Sequence, residues 1–480
     1  MSYNLFQAMN GAARTANGGV TNHSSLNPCV DFFFAAGSSR GKDISQLFVQ
    51  AIIHDRDIAL RTLLWLRDVR GGAGERQQFK NLLVKGLNTL YENDKESYNN
   101  FLNLIPVVGR FDDLLVLMGT KHEAAACKVW TSAILAGNGL AAKWAPRKDK
   151  KGAKPLRKFL NMTEHAWRKL VVSRTDVVET KMCNREWDNI NFNHVPSQAM
   201  TKYMTAFHRN SQTFAEWREA LKRGDKNVKV NAGAVYPYDI VRKLPVGGHI
   251  GWNPSKKHDD VLQKMWESQP DYLNGNKERM LPVIDVSGSM QSRVPQQEAT
   301  CMDVAISLGI YIAERNEGIF KNQCMSFSES PRMYQLSGTL ADKVNQIQAR
   351  ENVGYSTDVV KVFTTLLEQA IQYNVPRDQM PTKLFIVSDM EFNAGFNGGF
   401  PLTAYQHIKK VYGDYGYDMP DIIFWRVNTL VQGNVPVTIT DTGTALVSGF
   451  SPSILTALMG GQLTPENVMM EAIGNPRYDF

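Results

Sequence analysis

The sequence predicts a two-part molecule of α + α/β class, a helical part followed by an α/β domain built on a parallel sheet. Three observations carry this. Apolar residues recur at helical spacing from about residue 42 to 230, and strand-like alternation is scarce there. After about residue 280, short β-rich apolar runs alternate with helical segments. The charge also changes sign along the chain. Residues 1–250 hold 36 Lys and Arg against 22 Asp and Glu, a balance of +14, whereas residues 251–480 hold 18 against 25, a balance of −7. A basic half joined to an acidic half points to two jobs, one of them involving a polyanion. A chain of 480 residues exceeds one ordinary core, so two or three domains are expected, with the division placed as 1–275 and 276–480.

In the first part, Ile44, Leu47, Phe48, Ala51 and Ile52 share one helical face, as do Phe79, Leu82, Leu83 and Leu87. Gly71-Gly72-Ala73-Gly74, Gly109, Gly137-Asn138-Gly139 and Pro146 break the helices apart. Short breaks between successive helices suggest a stacked array, although no strict repeat period is visible. Residues 231–280 are mixed and interrupted by Pro237, Pro245, Gly247-Gly248 and Pro254. Beyond them, Met280–Val286 reads as an apolar strand entering a turn, Ala299–Ala313 as a buried helix, and Asn322–Phe327 as a second strand. Val359, Phe363, Leu366, Leu367, Ala370 and Ile371 mark an amphipathic helix starting near Thr357, and Lys383–Val387 and Ile422–Val427 two further strands. Such alternation predicts a parallel sheet covered on both faces, with ligand sites at the carboxyl ends of its strands.

Composition excludes several classes. Met1–Gly19 contains no basic segment followed by an apolar run, and no stretch approaches the roughly 18 apolar residues that span a bilayer. The expectation is a soluble, intracellular, cytoplasmic protein with no membrane partner. The five cysteines (Cys29, Cys127, Cys183, Cys301, Cys324) show no CxxC spacing, so neither a disulfide framework nor a Cys-ligated zinc is expected. No HxxxH or HExxH pair occurs either.

The chemistry concentrates at the expected strand ends. Asp285, Ser287 and Ser289 follow the first strand at alternate positions, so their side chains can converge on one point. Thr357 opens the helix after Gly354-Tyr355-Ser356, and Asp389 follows the strand Lys383–Val387. All five are hard oxygen donors, suited to Mg²⁺ or another divalent cation. Hydroxyls of Ser287, Ser289 and Thr357 would bind directly, while Asp285 and Asp389 act through waters or as hydrogen-bonded anchors. With few direct carboxylates the ion would keep an open position for a partner's carboxylate or phosphate. Read blandly, the stretch is a Ser- and Gly-rich turn. Glu391 and Asp358 read as neighbouring solvated carboxylates.

These segments resemble known families. Asp285-Val286-Ser287-Gly288-Ser289-Met290, the Ser356-Thr357-Asp358 loop and the Ser388-Asp389 step resemble the metal-ion-dependent adhesion site (MIDAS) of von Willebrand factor A (vWA) domains. The Gly usual after the last Asp is Met390 here. In the first half, Arg67-Asp68-Val69-Arg70-Gly71-Gly72-Ala73-Gly74-Glu75-Arg76 resembles a signature of TROVE-like proteins with C-terminal vWA domains. So do Ala166-Trp167-Arg168-Lys169-Leu170, Arg185-Glu186-Trp187, Val195-Pro196-Ser197, Ser326-Phe327-Ser328 and Leu446-Val447-Ser448-Gly449-Phe450-Ser451. Better-studied proteins of this architecture are the Ro autoantigen and its bacterial counterparts, in which a ring of HEAT-like helices binds the ends of misfolded or small non-coding RNAs. The resemblance implies a TROVE-like helical ring over 1–275, a Rossmann-like doubly wound vWA domain over 276–480, and an RNA partner.

Independently, Lys143, Arg147, Lys148, Lys150, Lys151, Lys154, Arg157 and Lys158 crowd into sixteen residues, with Trp144 at one end and Phe159 just beyond; Arg168, Lys169 and Arg174 follow. Lys and Arg contact phosphates, and an aromatic ring can stack an unpaired base. The bland reading is a solvated loop. Gly71–Gly74 lacks the GK[ST] ending of a phosphate-binding P-loop and reads as a tight turn, although Arg67, Arg70 and Arg76 beside it could face a phosphate backbone. The leading expectation is a Ro-like RNA-binding protein, not an enzyme, whose vWA domain binds a divalent metal and an acidic protein partner. The alternative is a metal-dependent protein-interaction scaffold without RNA. Mg²⁺-dependent phosphoryl transfer is a weak third, because no cluster of carboxylates suited to two metals is present.

Overall fold

The computed structural model describes residues 12–14, 20–22, 24–250, 253–273, 275–294, 299–327, 331–349, 359–390, 404–427, 435–437, 442–459 and 463–480. The chain divides into two compact units, one of residues 1–55 and 235–472, the other of residues 56–234 and 473–480. The first is α/β and the second is helical, which is the expected class. The expected boundary near 275 lies inside the α/β unit. The chain passes between units three times, a path that a single break in composition does not reveal.

The α/β unit opens with a short antiparallel pair, β1 (Ala12–Arg14) and β2 (Val20–Asn22), then α1 (Pro28–Ala36) and α2 (Ser45–His54). Asn27 caps α1 by accepting from the backbone N–H groups of Cys29 and Val30, and Pro28 fits the first turn, where its missing N–H costs nothing.

The helical unit runs through α3 (Arg56–Arg67), α4 (Arg76–Tyr91), α5 (Lys95–Val108), α6 (Glu123–Leu135), α7 (Gly139–Trp144), α8 (Ala153–Phe159), α9 (Glu164–Arg174), α10 (Val178–Cys183), α11 (Ser197–Asn210) and α12 (Gln212–Lys222). Consecutive helices from α3 to α7 pack on one another. On α4 the predicted face is the buried one: Phe79, Leu82, Leu83 and Leu87 are fully enclosed, each contributing roughly 1.5–3 kcal/mol before the entropy cost of ordering. An ionic cluster sits beside this core. The Asp113 side chain is fully buried and meets Arg67 at 2.7 Å, Arg76 at 3.1 Å and Lys80 at 3.5 Å, and it also accepts the Arg110 backbone N–H at 2.9 Å. The tail returns here too. Arg477 and the Tyr478 hydroxyl both bond buried Asp68, at 2.5 and 3.3 Å, and Phe480 packs edge-on to Phe101.

Back in the α/β unit come α13 (Pro237–Lys243), the hairpin β3 (Val246–Ile250) and β4 (Asn253–Lys256), and α14 (Asp260–Glu267). Then follow β5 (Met280–Asp285), α15 (Cys301–Arg315), β6 (Gln323–Phe327), β7 (Met333–Gln335), α16 (Leu340–Gln348), α17 (Val359–Gln372), β8 (Lys383–Ser388), α18 (Ala404–Asp414), β9 (Asp421–Arg426), β10 (Thr444–Ser448) and α19 (Pro465–Ile473). Six strands form one sheet in the order β10-β9-β8-β5-β6-β7, parallel except for the β6–β7 edge. The inner strands are buried along their whole length, which is why β5 reads as an unbroken apolar run rather than an alternating one. Pro282 is tolerated because β6 pairs with β5 only from Val283 onward. Helix α15 is enclosed on most sides as predicted, and Gly309 lets it lie against Ile284, where a β-carbon would come within 2.3 Å of the Ile284 side chain. From the N-terminal segment, α1 packs on β10. A β-carbon at Gly37 would meet the Ser448 carbonyl oxygen at 2.5 Å, so only glycine fits there. Among the described residues, no helix is long and apolar enough to cross a membrane.

The Asp113 cluster makes a test. Burial alone would raise this carboxyl, but Arg67, the Arg110 N–H, Arg76 and Lys80 outweigh it and hold the group below its ordinary 3.8. Because folding lowers its pKa, the cluster stabilises fully above about pH 4 and loses that contribution as pH falls through the lowered value. Asp113→Ala leaves the Arg67 charge buried without its carboxylate and should cost about 3–5 kcal/mol in urea unfolding at pH 7. A loss below about 1 kcal/mol would show that the cluster is solvated.

Candidate metal centre and basic surface

The centre is built by strand pairing. Ile284 of β5 lies opposite Val387 of β8, so the next residues, Asp285 and Ser388, leave the sheet side by side at its carboxyl edge. The chain goes from β5 to β6 on one side and later crosses to β8 on the other, making this the point where strand order reverses and where open α/β sheets bind ligands.

Asp285 is fully buried, and its oxygens are held from both sides. The Ser287 N–H donates to Oδ1 at 2.9 Å, and the Ser388 hydroxyl donates to Oδ2 at 2.6 Å. The Ser287 and Ser289 hydroxyls lie 3.1 Å apart; Ser287 is buried and Ser289 half-buried. Asp389 is 1% exposed. Burial first, and then the negative charge of Asp389, push the Asp285 carboxyl well above the usual carboxylate range. Asp285, Ser287, Ser289 and Asp389 thus occupy adjacent ends of β5 and β8. Thr357 lies outside the described residues, as do Asp358 and Glu391.

Ser388 is the participant that sequence reasoning quoted but gave no role. Its hydroxyl also accepts the Met390 N–H at 3.0 Å, tying the Asp389 turn to Asp285. Met390 has φ of 64° and is fully buried. It holds the left-handed conformation that glycine adopts freely, at a cost of about 1–2 kcal/mol. Methionine therefore keeps a glycine-like turn, and the strain sits at a site, where strained residues tend to cluster.

The residues present suit a hard divalent cation. Two buried carboxylates face the same region and raise one another's cost of ionisation, and neighbouring hydroxyls offer neutral oxygens. The described residues hold no group of three or more His, Cys, Asp or Glu in metal-ligating proximity, and a centre of serine hydroxyls with two carboxylates would not form one.

The second region is the basic segment of the helical unit. With the tail included, that unit carries 32 Lys and Arg against 19 Asp and Glu, a balance of +13. Lys148, Lys150, Lys151, Lys154, Lys158, Arg168 and Lys169 are exposed and Arg157 half-buried, and none of the eight has a carboxylate within ion-pair distance among the described residues. Lys143 differs, pairing with Glu179 at 2.9 Å. Arg147 is half-buried and among the described residues reaches only the Thr175 hydroxyl, at 3.4 Å. The Arg110 guanidinium covers a face of Trp144 at 4.0 Å, whereas Phe159 is 44% exposed. Trp167, inside the Ala166–Leu170 segment, is a core residue whose indole N–H donates to the Pro146 carbonyl.

The glycine-rich stretch is a tight turn. A β-carbon at Gly72 would sit 1.9 Å from the Trp65 carbonyl oxygen, and Gly74 has φ of 68°. Of the arginines beside it, Arg67 is buried on Asp113 and Arg76 binds Asp112 and Asp113, while Arg70 is exposed.

Residues 279–475 are similar to a family described as domain of unknown function DUF7788, and residues 15–84 and 149–290 to domain of unknown function DUF2828. The chain is 26% identical over 518 residues to the uncharacterized protein L728 of Acanthamoeba polyphaga mimivirus, an alignment covering 96% of this chain and 86% of that one.

If the two carboxylates repel one another as their burial implies, removing one charge should help the metal-free fold. In chelator at pH 8, Asp389→Asn is expected to raise the unfolding midpoint of the α/β unit by about 2 °C or more. A lowered midpoint would mean that Asp389 is held by structural partners rather than strained by Asp285.

Proposed function

We propose that this chain is an RNA-binding protein, its helical unit TROVE-like and its α/β unit a vWA-type domain with a divalent-cation site for an acidic partner. The observation that carries the proposal is the basic segment from Lys148 to Lys169, eight cations with no carboxylate within ion-pair distance among the described residues, on a unit of balance +13. A structural role for cations ordinarily shows as pairing, as Lys143 does with Glu179 and Arg67 with Asp113. Unpaired and clustered, these side chains would contact phosphates and release condensed counterions, and exposed Phe159 would stack an unpaired base.

In the α/β unit, Ser287 and Ser289 would hold Mg²⁺ with Asp285 and Asp389 behind them, and Thr357 is proposed to join them. A bound ion would supply Lewis acidity toward a carboxylate of a protein partner. The chain's own residues do the positioning: Ser388 fixes Asp285, and the strained Met390 turn fixes Asp389. Nothing in this arrangement asks for a catalytic step.

Two measurements test the proposal. Replacing Lys148, Lys150, Lys151, Lys154, Arg157 and Lys158 by Gln should weaken binding of every single-stranded RNA alike and flatten its salt dependence, by a log–log slope of roughly 0.7 per lost contact. Equal affinities and slopes would return the segment to a solvated loop, and no binding by the unaltered chain at low salt would favour the scaffold reading. Separately, millimolar Mg²⁺ or Mn²⁺ should stabilise the α/β unit, by about 2.7 kcal/mol at a hundredfold excess over Kd, and so raise its unfolding midpoint. Ser287→Ala combined with Ser289→Ala should abolish the gain. An unchanged midpoint for the unaltered chain would sink the cation site.

A further inference from the structure

We infer that a cavity at the amino ends of β5, β8 and β9 binds a free α-amino acid with an apolar side chain. The cavity lies at the sheet edge opposite the candidate metal centre and depends on neither half of the function proposed above. Strand pairing builds it. Arg279 stands just before β5, Thr382 just before β8 and Pro420 just before β9. The Thr382 N–H donates to the Arg279 carbonyl at 2.8 Å, and the Asp421 N–H donates to the Thr382 carbonyl at 2.9 Å. These residues form one row, and the turns entering β8 and β9 supply the rest of the lining around a cavity of about 170 Å³.

The same dipeptide enters both strands, Met380-Pro381 ahead of β8 and Met419-Pro420 ahead of β9. Proline holds the residue before it extended, and Met380 has φ of −77° and ψ of 151°. Two thioethers and two pyrrolidine rings thus give the cavity an apolar wall, and thioethers adapt to the shape placed against them.

Beside that wall stand two charges of each sign that do not meet. Arg279, Arg377, Asp418 and Asp421 all line the cavity, and among the described residues none of the four has an opposite charge within ion-pair distance. Structural pairs in this unit close fully, as Lys343 does with Glu314 at 2.7 Å and Lys383 with Glu278 at 2.5 Å. Arg279 is instead held open by its Nε, which donates to the Met380 carbonyl at 2.6 Å. Tyr417 fixes the turn before Asp418, its hydroxyl lying 3.2 and 3.3 Å from the Ala370 and Val375 carbonyls. Burial raises the half-buried Asp421 carboxyl above its ordinary 3.8, and the Lys383 charge offsets this only in part. A further cation beside Asp421 would relieve it.

An anion alone would face two aspartates here, and a cation alone two arginines. A zwitterion answers both, its carboxylate meeting the guanidinium forks of Arg279 and Arg377 and its ammonium meeting Asp418 and Asp421. An α-amino acid carries both charges on one carbon, and its side chain would lie on Met380 and Met419. The cavity holds several waters but falls below the roughly 300 Å³ at which drug-sized pockets begin, which suits one amino acid rather than a peptide.

The test titrates the full chain calorimetrically with L-leucine and L-methionine, each in three forms. These are the free amino acid, its amide, which lacks the carboxylate, and its des-amino acid, which lacks the ammonium. At least one free amino acid should bind saturably at millimolar concentration, and its two altered forms should bind about tenfold more weakly, the size of a charge-assisted contact. Arg377 and Asp418 are exposed, so Arg377→Gln and Asp418→Asn should keep the unfolding midpoint while each weakens binding by about the same factor. No saturable binding of either free amino acid would overturn the inference. So would equal binding of an altered form, or binding that survives both substitutions.

Discussion

Because β5 and β8 run parallel with Ile284 opposite Val387, the two residues that follow cannot avoid one another. Asp285 and Ser388 emerge together at the carboxyl edge, and the Ser388 hydroxyl closes on the Asp285 carboxylate at 2.6 Å. The rest of the α/β unit follows from keeping that pair of strands central. Helix α15 must lie flat across β5, which Gly309 allows, and both sheet faces must be covered, which leaves the strands uniformly apolar. Asp389 is then delivered one residue beyond Ser388, into a turn that the Met390 backbone completes at left-handed φ. The methionine side chain is fully buried, so the local strain is set against apolar burial of comparable size.

The helical unit rests on a different constraint, a charged one. Asp113 cannot be buried as an anion without several donors, and Arg67, Arg76, Lys80 and the Arg110 N–H supply them from α3, α4 and the turn after α5. Asp68, the residue after α3, is satisfied from the opposite end of the sequence by Arg477 and Tyr478. The stretch from Arg67 to Arg76 is therefore a knot of structural ion pairs around a turn that only glycine can make, because Gly72 sits against the Trp65 carbonyl. Its arginines look available in the sequence, but Arg67 and Arg76 are committed to carboxylates more than thirty residues away.

That contrast explains what could be read in advance. The strands Met280–Asp285 and Lys383–Ser388 and helices such as Arg76–Tyr91 were legible, since periodicity and apolar runs are local signals, and Asp285, Ser287, Ser289 and Asp389 follow directly from strand ends. The unit boundaries were not legible. Residues 1–55 belong with the sheet because α1 packs on β10, and residues 473–480 belong with the helices because of Asp68. Both are long-range contacts with no local mark. The role of Ser388 and the pairing of Lys143 with Glu179 were hidden for the same reason.

Each unit therefore holds a buried cluster whose charge is unbalanced in the direction of its overall charge. The α/β unit, with 22 Lys and Arg against 28 Asp and Glu, buries two carboxylates together. The helical unit, at +13, gathers four cations around two carboxylates. Overall charge acts weakly at a distance, since salt screens exposed charges beyond roughly 10 Å at 0.1 M. Partly buried clusters escape most of that screening, so they act at contact range. The exposed cations from Lys148 to Lys169 would thus govern how the proposed RNA binding responds to salt. The enclosed carboxylates of the α/β unit would govern which ion is accepted. In the α/β unit two carboxylates are buried together, which is the physical reason to seek a cation there, whereas the cations around Asp113 in the helical unit are already met by carboxylates.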